Sequence, residues 1–250
     1  METKDNINRF DLEIENLMLN YDIWNIPEDN SISFGPNGIQ ATNFELTHNN
    51  NAIRVNSESE DPSSPIRVEF ETFQIETVSA MISKDTLLAT GTINGEIILS
   101  DLISSPQFTS ELTVDNFAFK RDTVGNLAIN VDNHTANTLQ ANVQLTGAGN
   151  DVEMGGLYTI DSGNLDFDLA LRKLNVKSIQ GFSFGNITEG EGYLSGDLRL
   201  EGTAAEPVVL GDLEFNDVGF IVTTLDNYFQ NMNDPISFTR DGISFDRFTI

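Results

Sequence analysis

The chain has 250 residues, 39% hydrophobic and 21% charged, the composition of a folded protein long enough to bury a sizeable core. Its 39 Asp and Glu outnumber 13 Lys and Arg for a net charge of −26, a field that excludes nucleic acid as a partner and works against adhesion to anionic membrane surfaces. Cysteine is absent, which removes disulfides and thiolate metal sites; no apolar window is long enough for a membrane-spanning helix, and Met1–Asn6 lacks the apolar core of a signal peptide.

Apolar and polar residues alternate with period two along most of the chain, and Gly, Asn, Asp and Ser fill the intervals, which predicts an all-β antiparallel meander. Asn20–Trp24 reads as extended. In Gly91–Leu99 the residues Ile93, Gly95, Ile97 and Leu99 share one face. Leu112 and Val114 are in phase with each other, but Phe117 and Phe119 are not, so a bulge or tight turn is predicted at Asp115-Asn116. Further strands follow at Leu127–Val131, Leu139–Leu145 and Leu165–Leu171. Gly192–Leu200 then sets Leu194, Gly196, Leu198 and Leu200 on one face. Leu213 and Phe215 followed by Val218 and Phe220 repeat the switch, now at Asn216-Asp217. Glycines 95 and 196, on an apolar face inside a strand, predict a bend or a close backbone approach. Leu225, Tyr228, Phe229 and Met232 have helical spacing among poor helix formers, so residues 225–233 read either as a short helix or as irregular strand.

The chain also repeats itself. Shifted by 101 residues, Gly91–Leu99 falls on Gly192–Leu200, Pro106 on Pro207, Leu112 on Leu213, and Phe73 and Ile75 on Leu174 and Val176. The register holds without a gap from residues 66–119 onto 167–220. Ile32-Ser33-Phe34 and Gly38-Ile39 return 204 residues later as Ile236-Ser237-Phe238 and Gly242-Ile243, and Asp11–Asn16 resembles Asp212–Asp217. One supersecondary plan is used again, with partial units at 10–55 and 212–250. The expectation is a single continuous β-repeat segment, the middle of a longer protein.

Candidate chemistry is sparse. Gly181-Phe182-Ser183-Phe184-Gly185 matches the G-x-S-x-G elbow, but no histidine follows it, and Phe182 and Phe184 read as the alternating face of a strand. Gly190-Glu191-Gly192 opens a dinucleotide-type motif that has Ser195 in its last place. Asp161–Asn164 is turn chemistry rather than a calcium loop. His48 and His134 lie in polar stretches and read as solvated. No residue is predicted to be catalytic, to hold a metal or to bind a cofactor, so the chain does not read as an enzyme. What remains is an apolar face with three possible fates: packing on a second sheet, closing into a barrel or solenoid filled by its own side chains, or lining an open trough for foreign hydrocarbon.

The span Gly192–Thr203, with Glu206-Pro207, Gly211–Phe215, Leu174–Val176 and Pro235–Ile243, resembles the C-terminal region of the TamB family. The first copy fits less well, having Asp101 where the second has Gly202, and Ser110 where it has Gly211. The resemblance implies a periplasmic segment of a protein anchored in the inner membrane of Gram-negative bacteria. It implies an elongated antiparallel sheet curled into a taco-like trough with an apolar concave face, among the AsmA-like bridge-type lipid carriers. Its partners would be phospholipid acyl chains and a TamA-like outer-membrane barrel protein. Its role would be to move phospholipid outward or to support outer-membrane protein assembly and secretion. The groove lining would include Ile93, Ile97, Leu99, Leu112, Val114, Leu194, Leu198, Leu200, Leu213 and Phe215. Two alternatives stand beside it: a β-augmentation chaperone for barrel strands, and a structural or adhesive surface β-repeat with a self-packed core.

Overall fold

The computed structural model describes residues 2–4, 6–12, 14, 17–82, 88–135 and 137–245, without the side chains of 2–4, 80–82 and 134. Strands β1 (Glu2–Lys4), β2 (Ile7–Phe10), β5 (Ser31–Gly35) and β6 (Gly38–Thr42) form a small four-stranded sheet, and β3 (Leu17–Leu19) pairs with β4 (Asp22–Trp24). A 14-stranded antiparallel sheet makes up the rest. It begins with β7 (Phe44–His48), β8 (Asn51–Ser57) and β9 (Ile66–Gln74), then helix α1 (Ile75–Ile82), β10 (Ala89–Ser100) and β11 (Gln107–Phe119). It continues through β12 (Asp122–Thr135), β13 (Thr138–Gly147), β14 (Asn150–Thr159) and β15 (Asn164–Asn175). Helix α2 (Val176–Ile179) and a 3-10 turn (Gln180–Ser183) lead into β16 (Ile187–Thr203), β17 (Pro207–Val222), β18 (Asn227–Met232), β19 (Pro235–Thr239) and β20 (Gly242–Phe245). Strand order follows chain order from β7 to β17, then β19 and β20, with β18 beside the far end of β17. The fold is all-β, and β7 does not pair with β20, so the sheet is open rather than a closed barrel.

The two halves of the 101-residue repeat adopt the same plan: β9-α1-β10-β11 in the first copy and β15-α2-β16-β17 in the second. Directly paired residues share a face, so the ladder can be read across the strands. One such row runs Leu46, Ile53, Phe70, Gly95, Leu112, Ile129, Val143, Met154, Leu169, Leu198, Gly211, Phe238, Ile243. The next runs Phe73, Ile93, Val114, Leu127, Leu145, Val152, Leu171, Gly196, Leu213, Ile236, Phe245. Gly196, the copy of Gly95, therefore sits one row away from it. The second copy is displaced along the strands by two residues, towards the end that carries α1 and α2.

Local chemistry explains the irregularities. At both predicted switch points the strand bulges: Asn116 (φ 53°) and Asp217 (φ 49°) adopt the left-handed conformation. The backbone N–H of Asn116 is held by Asn126 Oδ1 and that of Asp217 by Asn233 Oδ1, each at 2.8 Å, so the group freed from the ladder is satisfied. Gly95 (φ +120°) and Gly196 (φ +144°) mark close approaches, because a Cβ would lie 2.0 Å from the Glu111 carbonyl oxygen and 2.1 Å from that of Asp212.

Of the two readings of residues 225–233 the irregular strand holds, and three further expectations need correction. Residues 225–233 are a turn followed by β18, not a helix; Val218 opposes Met232 while Phe220 opposes Phe229, so one extra residue in β18 gives its apolar side chains a spacing of three. The helices lie instead at α1 and α2, where Phe73-Ile75 and Leu174-Val176 carry the strand phase into the first helical residue. Gly181–Ser183 belongs to the 3-10 turn, with Phe184 (φ 55°) closing it, so Phe182 and Phe184 are not strand residues. Finally, Phe10 opposes Ile32 as Leu213 opposes Ile236, so Arg9-Phe10 rather than Asp11-Leu12 is the partner of Asp212-Leu213. A slip of two preserves alternation, which is why the sequence pattern could not separate the two registers.

Candidate functional site: the apolar face

The ten candidate residues all fall on one face. Ile93 opposes Val114, Leu112 opposes Gly95, and Ile97 and Leu99 follow in alternation along β10. Leu194 opposes Phe215, Leu198 opposes Gly211, Leu213 opposes Gly196, and Leu200 opposes Val209. The intermediate strands join the two groups through Leu112, Ile129, Val143, Met154, Leu169 and Leu198. Of the ten, only Val114 is buried, at 6% exposure; the other nine keep accessible surface.

Their surroundings differ. Leu194 and Phe215 pack against the buried trio Val176, Val218 and Met232 under α2, and so belong to a local core. Leu99 borders a small cavity of about 130 Å³ shared with Pro36, Ile39 and Ile103. Leu112, Leu198 and Leu213 each face a glycine, so the ladder leaves space beside them. Phe167 and Leu171 lie on the same face and are buried to 8% and 6%. The candidate set omitted them, although the alternation of β15 marks both.

The opposite face is charged, and each of its four arginines is bridged by carboxylates. Arg54 bridges Glu45 and Glu71 at 3.5 and 2.8 Å, and Arg67 bridges Glu58 and Glu96. Arg172 bridges Asp151 and Glu153 at 3.2 and 3.0 Å, and Arg199 bridges Asp166, Asp168 and Glu201 at 2.7, 3.3 and 2.9 Å. Hydrogen bonds that they donate to Glu71, Glu96 and Glu153 hold Arg54, Arg67 and Arg172 above their ordinary pKa, and the nearby Asp166 and Asp168 charges do the same for Arg199. Such exposed pairs are screened by solvent and add little to stability. Two hollows on this face, about 670 and 460 Å³, lie around Gly155 and Gly95 and have carboxylates and arginines in their lining.

The two ends of the strands also differ. At one end the connections carry Glu58, Glu60, Asp61, Asp101, Asp161, Glu206 and Asp241, against Arg240, which is paired with Glu201. The other end carries α1, α2 and the β11–β12 turn Lys120-Arg121. Lys120, Arg121, Lys173 and Lys177 gather there, and none of them makes an ion pair among the described residues. Phe182 stacks on Phe119 with centroids 4.4 Å apart, and Lys120 Nζ lies 4.1 Å above the Phe184 ring.

The remaining motifs carry no chemistry. The Ser183 hydroxyl accepts the Ile187 N–H at 2.9 Å and is a turn cap, with no base beside it. His48 is pinned rather than solvated: Nδ1 donates to the Ile23 carbonyl at 2.8 Å, and the ring packs 5.7 Å from Trp24. The His134 side chain lies outside the described residues. No group of metal-ligating side chains occurs among the described residues, and none of their helices is long and apolar enough to cross a membrane. Neither a protein-family model, nor a curated protein, nor a solved structure matches this chain.

Proposed function

We propose that the large sheet is a non-enzymatic conduit whose apolar face, curled into a trough, shields phospholipid acyl chains during transfer across the periplasm. The observation that carries this reading is the unbroken succession of apolar rows that keep accessible surface over most of the sheet. Ile93, Gly95, Ile97 and Leu99 alone span about 20 Å along the strand. One leaflet of a bilayer is about 15 Å of hydrocarbon, so a chain lies along a strand without overrunning it. Each methylene covered contributes about 0.8 kcal/mol. The resemblance to TamB-like proteins supports the same reading and adds a TamA-like barrel partner and a part in outer-membrane protein assembly or secretion.

Lipid extraction and mass spectrometry of the purified chain test the proposal. Phospholipid is expected in the wild type and lost in Leu198→Arg, while the variant keeps its fold at a cost of about 1 kcal/mol, because Leu198 is only half-buried. A wild type free of lipid after exposure to phospholipid vesicles sinks the reading. A second reading rests on β20, the last described strand of the sheet, where Ile243 and Phe245 are each 55% exposed. This edge is suited to receive an unfolded barrel strand by β-augmentation. Binding of a barrel-strand peptide that survives Leu198→Arg favours that alternative. A sealed, self-packed adhesive repeat is disfavoured by the exposure of the same face.

A further inference from the structure

In a chain with three acidic residues for each basic one, the cations that make no ion pair among the described residues are not scattered. Lys120, Arg121, Lys173 and Lys177 stand at the helix-bearing end of the strands, whereas the connections at the opposite end are almost wholly acidic. Arg121 and Lys177 line one cleft of about 670 Å³, together with Asn175, Ser178 and the backbone of Gly190 and Gly192. Two carboxylates share it and are engaged: Asp122 accepts from Gln180 Nε2 at 2.7 Å, and Glu191 from the Tyr228 hydroxyl at 3.2 Å. Glu189 stands nearby and is exposed.

The turn itself is unusual. Lys120 (φ 49°) and Arg121 (φ 76°) both occupy the left-handed region in a two-residue hairpin turn, where Asn-Gly would be less strained. Two long cations are thus held at a tight corner at a conformational cost, a pattern that points to function. The corner is continuous with the apolar face: Phe119, directly before it, opposes Ala89, which is in phase with Ile93 along β10. An exposed aromatic wall, Phe182 on Phe119 and Phe184 under Lys120, separates hydrocarbon from charge.

We infer that the helix-bearing end of the sheet is the side on which phospholipid headgroups stand, their phosphates between the Lys120-Arg121 turn and Lys177, with the acyl chains running past Phe119 along the strands and across the apolar rows. This assignment rests on the lipid reading above and adds an orientation to it. Cations on a low-dielectric shelf hold a phosphate by charge-assisted hydrogen bonds, and an aromatic belt at the boundary suits the junction of headgroup and tail.

The test uses two photoreactive phospholipids, one carrying the probe on the headgroup and one on an acyl chain. With the wild-type chain the headgroup probe is expected to label residues 119–123 and 173–184, and the acyl probe the apolar strands. Reversal of three of the cations, Lys120→Glu, Arg121→Glu and Lys177→Glu together, is expected to lower headgroup labelling at least ~10-fold. Asp161→Lys with Glu206→Lys, at the far end, leaves it unchanged. Headgroup labelling at the far end, or at both ends alike, overturns the orientation while acyl labelling of the strands keeps the conduit. Absence of labelling by either probe overturns both. Inorganic phosphate that shifts the Lys120 and Lys177 resonances as far as lipid does marks a free-anion site and overturns the headgroup assignment.

Discussion

The two copies of the repeat share a backbone and differ in charge. Gly91, Gly95 and the bulge at Asn116 in the first copy have Gly192, Gly196 and the bulge at Asp217 as counterparts in the second. Yet Glu71, Thr72 and Glu76 of the first copy correspond to Arg172, Lys173 and Lys177 of the second. The copies also part after Phe119 and Phe220: the first turns at Lys120-Arg121, while the second runs on through Ile221 and Val222 to pair with β18. What is kept is the set of positions that shape the sheet, and what has changed is the charge at one end of it. The cationic corner is built by both copies at once, from the turn of the first and the helix of the second.

The largest expected effect tests the shared part. Gly95→Val and Gly196→Val both drive a side chain into a neighbouring carbonyl, so each should cost more than about 3 kcal/mol, seen as loss of the folding transition in denaturant. A wild-type midpoint in either variant breaks the equivalence of the copies. Val218→Ala probes a difference: Val218 is fully buried at 0% exposure under α2, whereas its counterpart Phe117 is half-buried. The expected loss is about 2 kcal/mol in thermal or urea unfolding. Smallest is the brace at the bulges. Asn126→Ala and Asn233→Ala each remove the acceptor for one bulge N–H, and each should cost about 1 kcal/mol. Unequal losses would show that the two bulges carry different strain.

The strands and their offset copies were legible because strand phase and glycine position are written in local residue type. Gly91 and Gly95 announce their positions, and the switch at Asp115-Asn116 announces its bulge. Helix α2 was not legible, since a single turn is shorter than any period it could show. Helix α1 did carry a signal in Ile75, Val78 and Ile82, spaced i, i+3, i+7, but Phe73-Ile75 continues the strand phase and masks its start. The exposure of the apolar face could not be read at all, because alternation is the same whether a second layer covers it or not. The cationic corner lay in plain view as Lys120-Arg121 and Lys173…Lys177, yet only the order of the strands shows that they meet.

The two-residue displacement between the copies has a consequence for anything that slides along the sheet. A hydrocarbon tail moving straight down one row passes Gly95 in the first copy but Leu198 in the second. Matching footholds lie on a diagonal, roughly 7 Å sideways for every 29 Å or so forward, taking ~3.3 Å per residue and ~4.8 Å per strand. A passenger keeping to the lane of Gly95 therefore meets its next glycine at Gly211 in β17, one strand later than the copy of Gly95, so the relief recurs out of step with the repeat.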